Sequence, residues 1–349
     1  MDAGHPECRR DTSVKRPQLH NTTQMFAASR KIALSLMLLF SAGGTLAQEY
    51  PARPVRLIVP FPPGGAVDIM ARLIGQHLSE RFKQQVVIDN RPGATGAIAM
   101  GIAAAAPADG YSLIAVSQAF WTHQSIFRDF KYDVRKDFTP IVLNATFPLV
   151  LVVHPSIPTR SVQELIELAK SKPAALSYGD NGGIGSSGHI AGELFNQRTG
   201  LRITHVPYKG GGPMYVDLIA GQIQMSFAHI TSVLPFIKAA RVRALAETGT
   251  ERLPVLPEVP TTNEAGLRDF TVVELSGLLG PAHMPPAIVN KLNSEIASFV
   301  KSPAMRERLV GEGAQVIAGT PEAFSAFIKL QVPRIAEILN GAGLKPGDF

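Results

Sequence analysis

Short runs of β-branched and apolar residues alternate along the chain with stretches whose apolar positions recur at helical spacing. Residues 55–60 read as a strand. Residues 68–82 follow, with Ile69, Leu73, Ile74, Leu78 and Phe82 on one helical stripe. Residues 85–90 and 111–117 read as the next strands, with an Ala-rich helical stretch at 97–106 between them. A second unit starts after residues 147–155. Ser161 and Glu164 form a capping box ahead of Val162, Leu165, Ile166 and Ala169. Strands are expected at 176–178, 203–206, 224–227 and 243–246, and residues 271–281 are apolar again. Helical patterns at 286–300, 303–310 and 321–339 finish the chain, with a kink expected at Pro333. Repeated strand–helix alternation predicts an α/β fold with parallel-rich sheets flanked by helices.

No Ser/Gly-rich linker separates the two units. The extended apolar segments near 140–153 and 270–281 are expected to be two single crossings between them. Domain 1 would then comprise residues 48–150 and 272–349, and domain 2 residues 151–271.

Several strands leave into glycine-rich loops that open helices. The first is "PFPPGGAVD", residues 60–68. Its prolines stiffen the turn, and Gly64 and Gly65 permit close approach and positive φ. The N–H groups of Gly64, Gly65, Ala66 and Val67 would then point out of a helix start, which suits an anion. Asp68 could cap or brace the loop. A tight turn without a ligand fits this stretch alone equally well. The arrangement recurs at "RPGATGAI" (91–98), "SYGDNGGIGSSGHIAGELF" (177–195) and "VPYKGGGPMYVDLIAGQ" (206–222). In doubly wound sheets, ligands sit beyond the carboxyl ends of strands, against helix starts. Lys209 could offer a positive charge to a carboxylate, or be a solvated loop lysine. His189 could contact a ligand, cap its helix or sit in the core.

Other chemistries find little support. No phosphate-loop or dinucleotide fingerprint is present. "GIGSSG" misses the hydrolase elbow by one residue. The histidines lack metal-ligand spacing, so a metal site is not expected.

The first 47 residues read differently. Arg30 and Lys31 precede the apolar run 32–43 and the small-x-small triplet Thr45-Leu46-Ala47. This is the layout of a secretory signal peptide. The run is too short to span a bilayer, and a buried N-terminal helix is the other reading. Residues 1–24 lie ahead of that layout, so Met25 could be the true start. Setting residues 1–47 aside removes Cys8, the only cysteine, and leaves 28 Lys/Arg against 25 Asp/Glu, a net charge of +3. A footprint for nucleic acid is therefore not expected. Hydrophobic residues make up 45% of the chain and charged residues 18%, enough for a large core without disulfides. A soluble, periplasmic protein is expected.

"YPARPVRLIVPFPPGGAVD", "NRPGATG", "PADGYSLI", "YGDNGGIGSSGHIAGELF", "VPYKGGGP", "RALAETGTER" and "PEVPTTNEAG" occur in that order. In these segments the chain resembles the Bug family, periplasmic solute receptors of tripartite tricarboxylate transport systems. The resemblance implies a two-domain Venus-flytrap binding protein, type II-like, with a discontinuous first domain. It implies a small carboxylate ligand, no enzymatic activity, no cofactor, and membrane permease subunits as partners. A monomer is expected. A receptor of the same fold signalling to a sensor kinase is an alternative, and a serine hydrolase using Ser186 or Ser187 a remote one. Carried over from the family, Phe61, Gly64, Gly65 and Ala66 would hold one carboxylate, and Ser117 and Gln118 would line the domain 1 wall. Tyr178, Ser186, Ser187 and His189 would close from domain 2, with Tyr208 and Lys209 beside them and Phe227 nearby. Relatives often have an acidic residue just after the counterpart of Phe227; here Ala228 and His229 follow. That tilts expectation toward a ligand without an amine. Asp180 stands where relatives often have serine.

Overall fold

The computed structural model describes Met1 and residues 50–344, apart from Gly65, Arg128, Asp129, Ala174, Asn181 and Lys209. The signal-peptide segment and Cys8 lie outside the described residues.

The chain opens with β1 (Val55–Val59), α1 (Ala66–Phe82) and β2 (Val86–Asn90). A 3-10 turn (Ala94–Gly96) leads into α2 (Ala97–Ala104), then β3 (Ser112–Val116) and α3 (Ala119–Ile126). A 16-residue strand, β4 (Phe138–Val153), precedes α4 (Val162–Ser171), β5 (Ser177–Asp180), α5 (Ser187–Thr199) and β6 (Thr204–Pro207). Next come α6 (Gly211–Ile219), β7 (Met225–His229), α7 (Ile230–Lys238), β8 (Arg243–Glu247) and β9 (Val273–Pro281). The chain finishes with α8 (Pro286–Val300), α9 (Pro303–Gly311), β10 (Gln315–Val316) and α10 (Pro321–Gly341).

The strands form one mixed sheet in the order β2-β1-β3-β9-β4-β7-β5-β6, with β10 and β8 also pairing β4. β1 runs parallel to β2 and β3, and β5 runs parallel to β6 and β7. β9 is antiparallel to β3 and β4. β4 serves both ends of the sheet. Phe138–Pro148 pairs β9, and Leu149–Val153 pairs β7 and β8. The return connection is pinned where Thr248 N–H donates to Leu149 O and Thr248 Oγ1 accepts from Leu149 N–H, each at 2.9 Å.

Both faces of the parallel strands are covered, as their continuous apolar runs require. Leu57 and Val59 pack with Met70, Ile74 and Leu78 of α1 and with Val289, Leu292 and Ile296 of α8. Ile58 faces the other way, onto Ala99, Met100 and Trp121. Each large aliphatic side chain so buried contributes roughly 1.5–3 kcal/mol. Of the expected α1 stripe, Ile74 and Leu78 are buried and Leu73 and Phe82 pack against the same core, joined by Met70 and Ala71, while Ile69 remains 42% exposed. Pro333 lies inside a continuous α10, on its exposed side of the buried residues Val332 and Ile335.

Candidate carboxylate site

The loop after β1 is braced from within. Asp68, 1% exposed, accepts Gly64 N–H at 2.9 Å, Arg72 Nε and Nη2 at 2.8 and 3.0 Å, and Asn90 Nδ2 at 2.8 Å. The same Asn90 nitrogen donates to Phe61 O at 3.0 Å. Arg72 above all, helped by the Gly64 N–H, holds the Asp68 carboxyl at about 2. Gly64 has φ +92°, and a Cβ there would meet nothing within 4 Å. Its backbone conformation, not crowding, calls for glycine. One of the four N–H groups expected to meet a ligand is thus committed to Asp68. Those of Ala66 and Val67, in the first turn of α1, have no intrahelical acceptor by helix geometry. Gly65 lies outside the described residues.

The exit of β3 presents Ser117 and Gln118, both buried. Gln118 N-caps α3, and its side-chain oxygen accepts Trp121 Nε1–H at 2.9 Å, which turns the amide inward. The residue therefore meets the site with its main chain. Gln118 N–H donates to Glu274 Oε1 at 2.8 Å.

The exit of β5 is built around a second buried aspartate. Asp180 Oδ1 accepts Gly182 N–H and Ser186 Oγ–H, each at 2.8 Å, and Oδ2 meets His205 Nε2. Ser186 Oγ in turn caps α5 by accepting His189 N–H at 3.2 Å. His189 Nδ1 accepts Gly185 N–H at 3.0 Å, which places the ring proton on Nε2. Burial, with His205 beside it, holds the His189 imidazole at about 4. Gly185 has φ +83°, and a Cβ there would lie 2.2 Å from Ile126 Cδ1. The loop after β5 thus touches α3 of the first half.

Ser187 turns the other way. Its hydroxyl lies 3.0 Å from His229 Nε2 and 3.3 Å from Glu274 Oε2. Glu274 Oε2 is 4.0 Å from His229 Nε2. Desolvation lowers the pKa of the His229 imidazole, against the pull of Glu274 and Asp180. A single carboxylate is therefore shared between the start of α3 and the start of α5. Sequence reasoning missed it, although Glu274 is a lone charge in the apolar run 271–281, and such a charge needs partners. No acid directly follows Phe227, yet a carboxylate stands 4.0 Å from His229. β9 supplies one, because it runs beside β3 and brings residue 274 to the exit of that strand.

Other expected residues stand behind the loops. Tyr178 is buried and donates to Glu193 Oε1 at 2.6 Å; Tyr208 donates to Asp217 Oδ2 at 2.6 Å. Phe227 is stacked on Phe270 and next to Phe195, with ring centroids 5.6 and 5.8 Å away. Lys209 lies outside the described residues. A cavity of about 290 Å³ adjoins Glu274 and His229. Ile69, Met70 and Leu73 of α1 line it, together with Phe147 and Leu309. This accounts for the exposed Ile69: α1 carries a second apolar face toward the cavity. Among the described residues, no helix is long and apolar enough to cross a membrane.

The sequence model of the TctC family, "Tripartite tricarboxylate transporter family receptor", matches residues 70–344. Protein BugT of Bordetella pertussis is 35% identical over 86% of this chain and 92% of its own. An R. palustris protein solved with adipate is 37% identical with a TM-score of 0.74, covering 85% of this chain and all of that one. MatC from Rhodopseudomonas palustris, solved with bound malate, is 30% identical with a TM-score of 0.70, over 83% of this chain and all of that one. A matched span from the first helix to the end of the last, on the fold shared with these receptors, settles the family: the chain belongs to the tripartite tricarboxylate transporter family receptors.

Proposed function

We propose that this receptor captures a small carboxylate in the periplasm and hands it to the membrane permease of a tripartite transporter, without transforming it. Residues 48–150 with 272–349 form one domain and residues 151–271 the other, and the ligand lies between their strand exits. The observation that carries this reading is the pair of donors converging on one carboxylate: Gln118 N–H from one half and Ser187 Oγ–H from the other. Helix starts favour negative charge, and donors already positioned lose little entropy on binding. The N–H groups of Ala66 and Val67 hold a second acceptor of the ligand, and the apolar wall of α1 receives its carbon chain. Adipate and malate, bound by the R. palustris relatives, are the first candidates.

The 3.0 Å contact between Ser187 and His229 also invites a hydrolase reading. In a catalytic triad the acid orients the imidazole from its other nitrogen. Here Glu274 approaches Nε2, the nitrogen the serine itself uses, so the pair lacks that support. Thermal melts of residues 48–349 against adipate, malate and other acids test the proposal. A binding acid raises Tm with concentration. Ser187→Ala should weaken that acid about tenfold, the equivalent of one hydrogen bond. A panel without any Tm rise, or ester turnover abolished by the same substitution, would sink the reading.

A further inference from the structure

Three chain carboxylates stand at these strand exits, and they differ in kind. The Asp68 and Asp180 side chains are 2% and 0% exposed, and each accepts several donors from its own neighbourhood. The Glu274 side chain is 22% exposed and reaches into the cavity. Apart from the N–H of the adjacent Leu275, at 3.0 Å, its donors come from two separate loops, 156 and 87 residues away in sequence. The first two carboxylates brace loops. The third sits where a ligand's own carboxylate belongs.

We propose that Glu274 is a built-in competitor: it occupies the donors of Gln118 and Ser187, and a ligand carboxylate binds there only by displacing it. This rests on the carboxylate-receptor reading. Two carboxylates cannot share that position while both are charged, since like charges at such range repel strongly. The incoming acid must therefore bring enough other contacts to drive Glu274 out. A diacid does so through its second carboxylate at the start of α1; a monoacid of equal length does not. Glu274 thus lowers the affinity of every acid by the same factor, so that only an acid with further contacts, such as a diacid, still binds at working concentrations.

Calorimetric titration of wild type, Glu274→Gln and Glu274→Ala with adipate and with hexanoate tests this. Glutamine keeps an acceptor but loses the charge, and neutral hydrogen bonds are weaker than charge-assisted ones. Affinity for both acids should rise from wild type to Gln to Ala, by about tenfold or more at the last step. Hexanoate, weak or silent with wild type, should gain by the same factor as adipate and so become measurable, because the cost of displacing Glu274 is common to both. Equal or lower affinity in both variants overturns the proposal and makes Glu274 a partner for a donor group on the ligand. If no version binds either acid while another acid of the panel binds wild type, the assigned diacid preference is wrong and the proposal falls. If no acid binds any version, the receptor reading falls with it. A readout free of ligand is hydrogen exchange at the Gln118 amide. It should be faster in Glu274→Ala than in wild type, and unchanged exchange would contradict the occupancy. Glu274→Gln, close to isosteric, guards against a folding defect in the alanine variant.

Discussion

The loops after β1 and β5 solve one problem in two ways. Each is glycine-rich, each precedes a helix, and each is organised by a buried aspartate that accepts a glycine N–H. Asp68 is matched by Arg72, whose side chain is half exposed and whose charge is permanent. Asp180 is enclosed completely, and its partner is a histidine with a second histidine, His189, tilted beside it at 4.3 Å between ring centroids. The first loop is a rim element with a solvated brace. The second is a part-buried polar network around an enclosed carboxylate that three donors share. Burial therefore decides how costly it is to disturb either loop, and whether pH reaches it.

The sharpest test compares the two aspartates. Asp180→Ala leaves Gly182 N–H, Ser186 Oγ–H and His205 without the enclosed acceptor they share, at a cost of about 2–4 kcal/mol. Asp68→Ala removes a loop brace whose other members reach water, for about 1–2 kcal/mol. Urea unfolding of both variants measures the gap, and equal losses would show that burial is not what separates the loops. Glycine substitutions extend the comparison. Gly185→Ala adds a Cβ 2.2 Å from Ile126 at positive φ and should cost about 2–4 kcal/mol. Gly64→Ala meets only the backbone penalty, about 1 kcal/mol, in the same assay.

The loops also differ in their response to pH. His189 titrates at about 4 in the folded chain and near 6.5 when unfolded. The unfolded chain then binds the extra proton first as pH falls, so stability decreases from about pH 6.5 down to about 4. Roughly 2 kcal/mol should disappear between pH 7 and pH 5, and His189→Gln should flatten that slope. The lowered His229 acts in the same direction. Asp68 has linkage of the same sign in a lower window. Its contribution is present above the ordinary aspartate value and is lost only as pH falls toward about 2. Chemical unfolding at pH 7, 6 and 5 separates the two: a slope that survives His189→Gln would place the sensitivity elsewhere.

Much of the architecture was legible because its causes are local. Strand and helix order follow from residue periodicity, and the bracing role of Asp68 follows from its place four residues after Gly64. Of the expected α1 stripe only Ile69 leaves the core, for the cavity, while Met70 and Leu73 serve both surfaces. Apolarity alone does not say which of two surfaces a side chain serves. Tyr178, Tyr208 and Phe227 sit near the right loops in sequence, yet each is turned to a partner behind them.

The sequence by itself determined the alternation of elements, the glycine loops at strand exits and the family resemblance, because each is written in neighbouring residues. Only the tertiary structure decided that Glu274 and His229 meet Ser187 and Gln118. Those contacts join residues 42 to 156 positions apart, and they exist because β9 pairs with β3 and β7 with β4 and β5. Strand pairing is a non-local choice, made by the packing of the whole sheet, and the chemistry of the site inherits it.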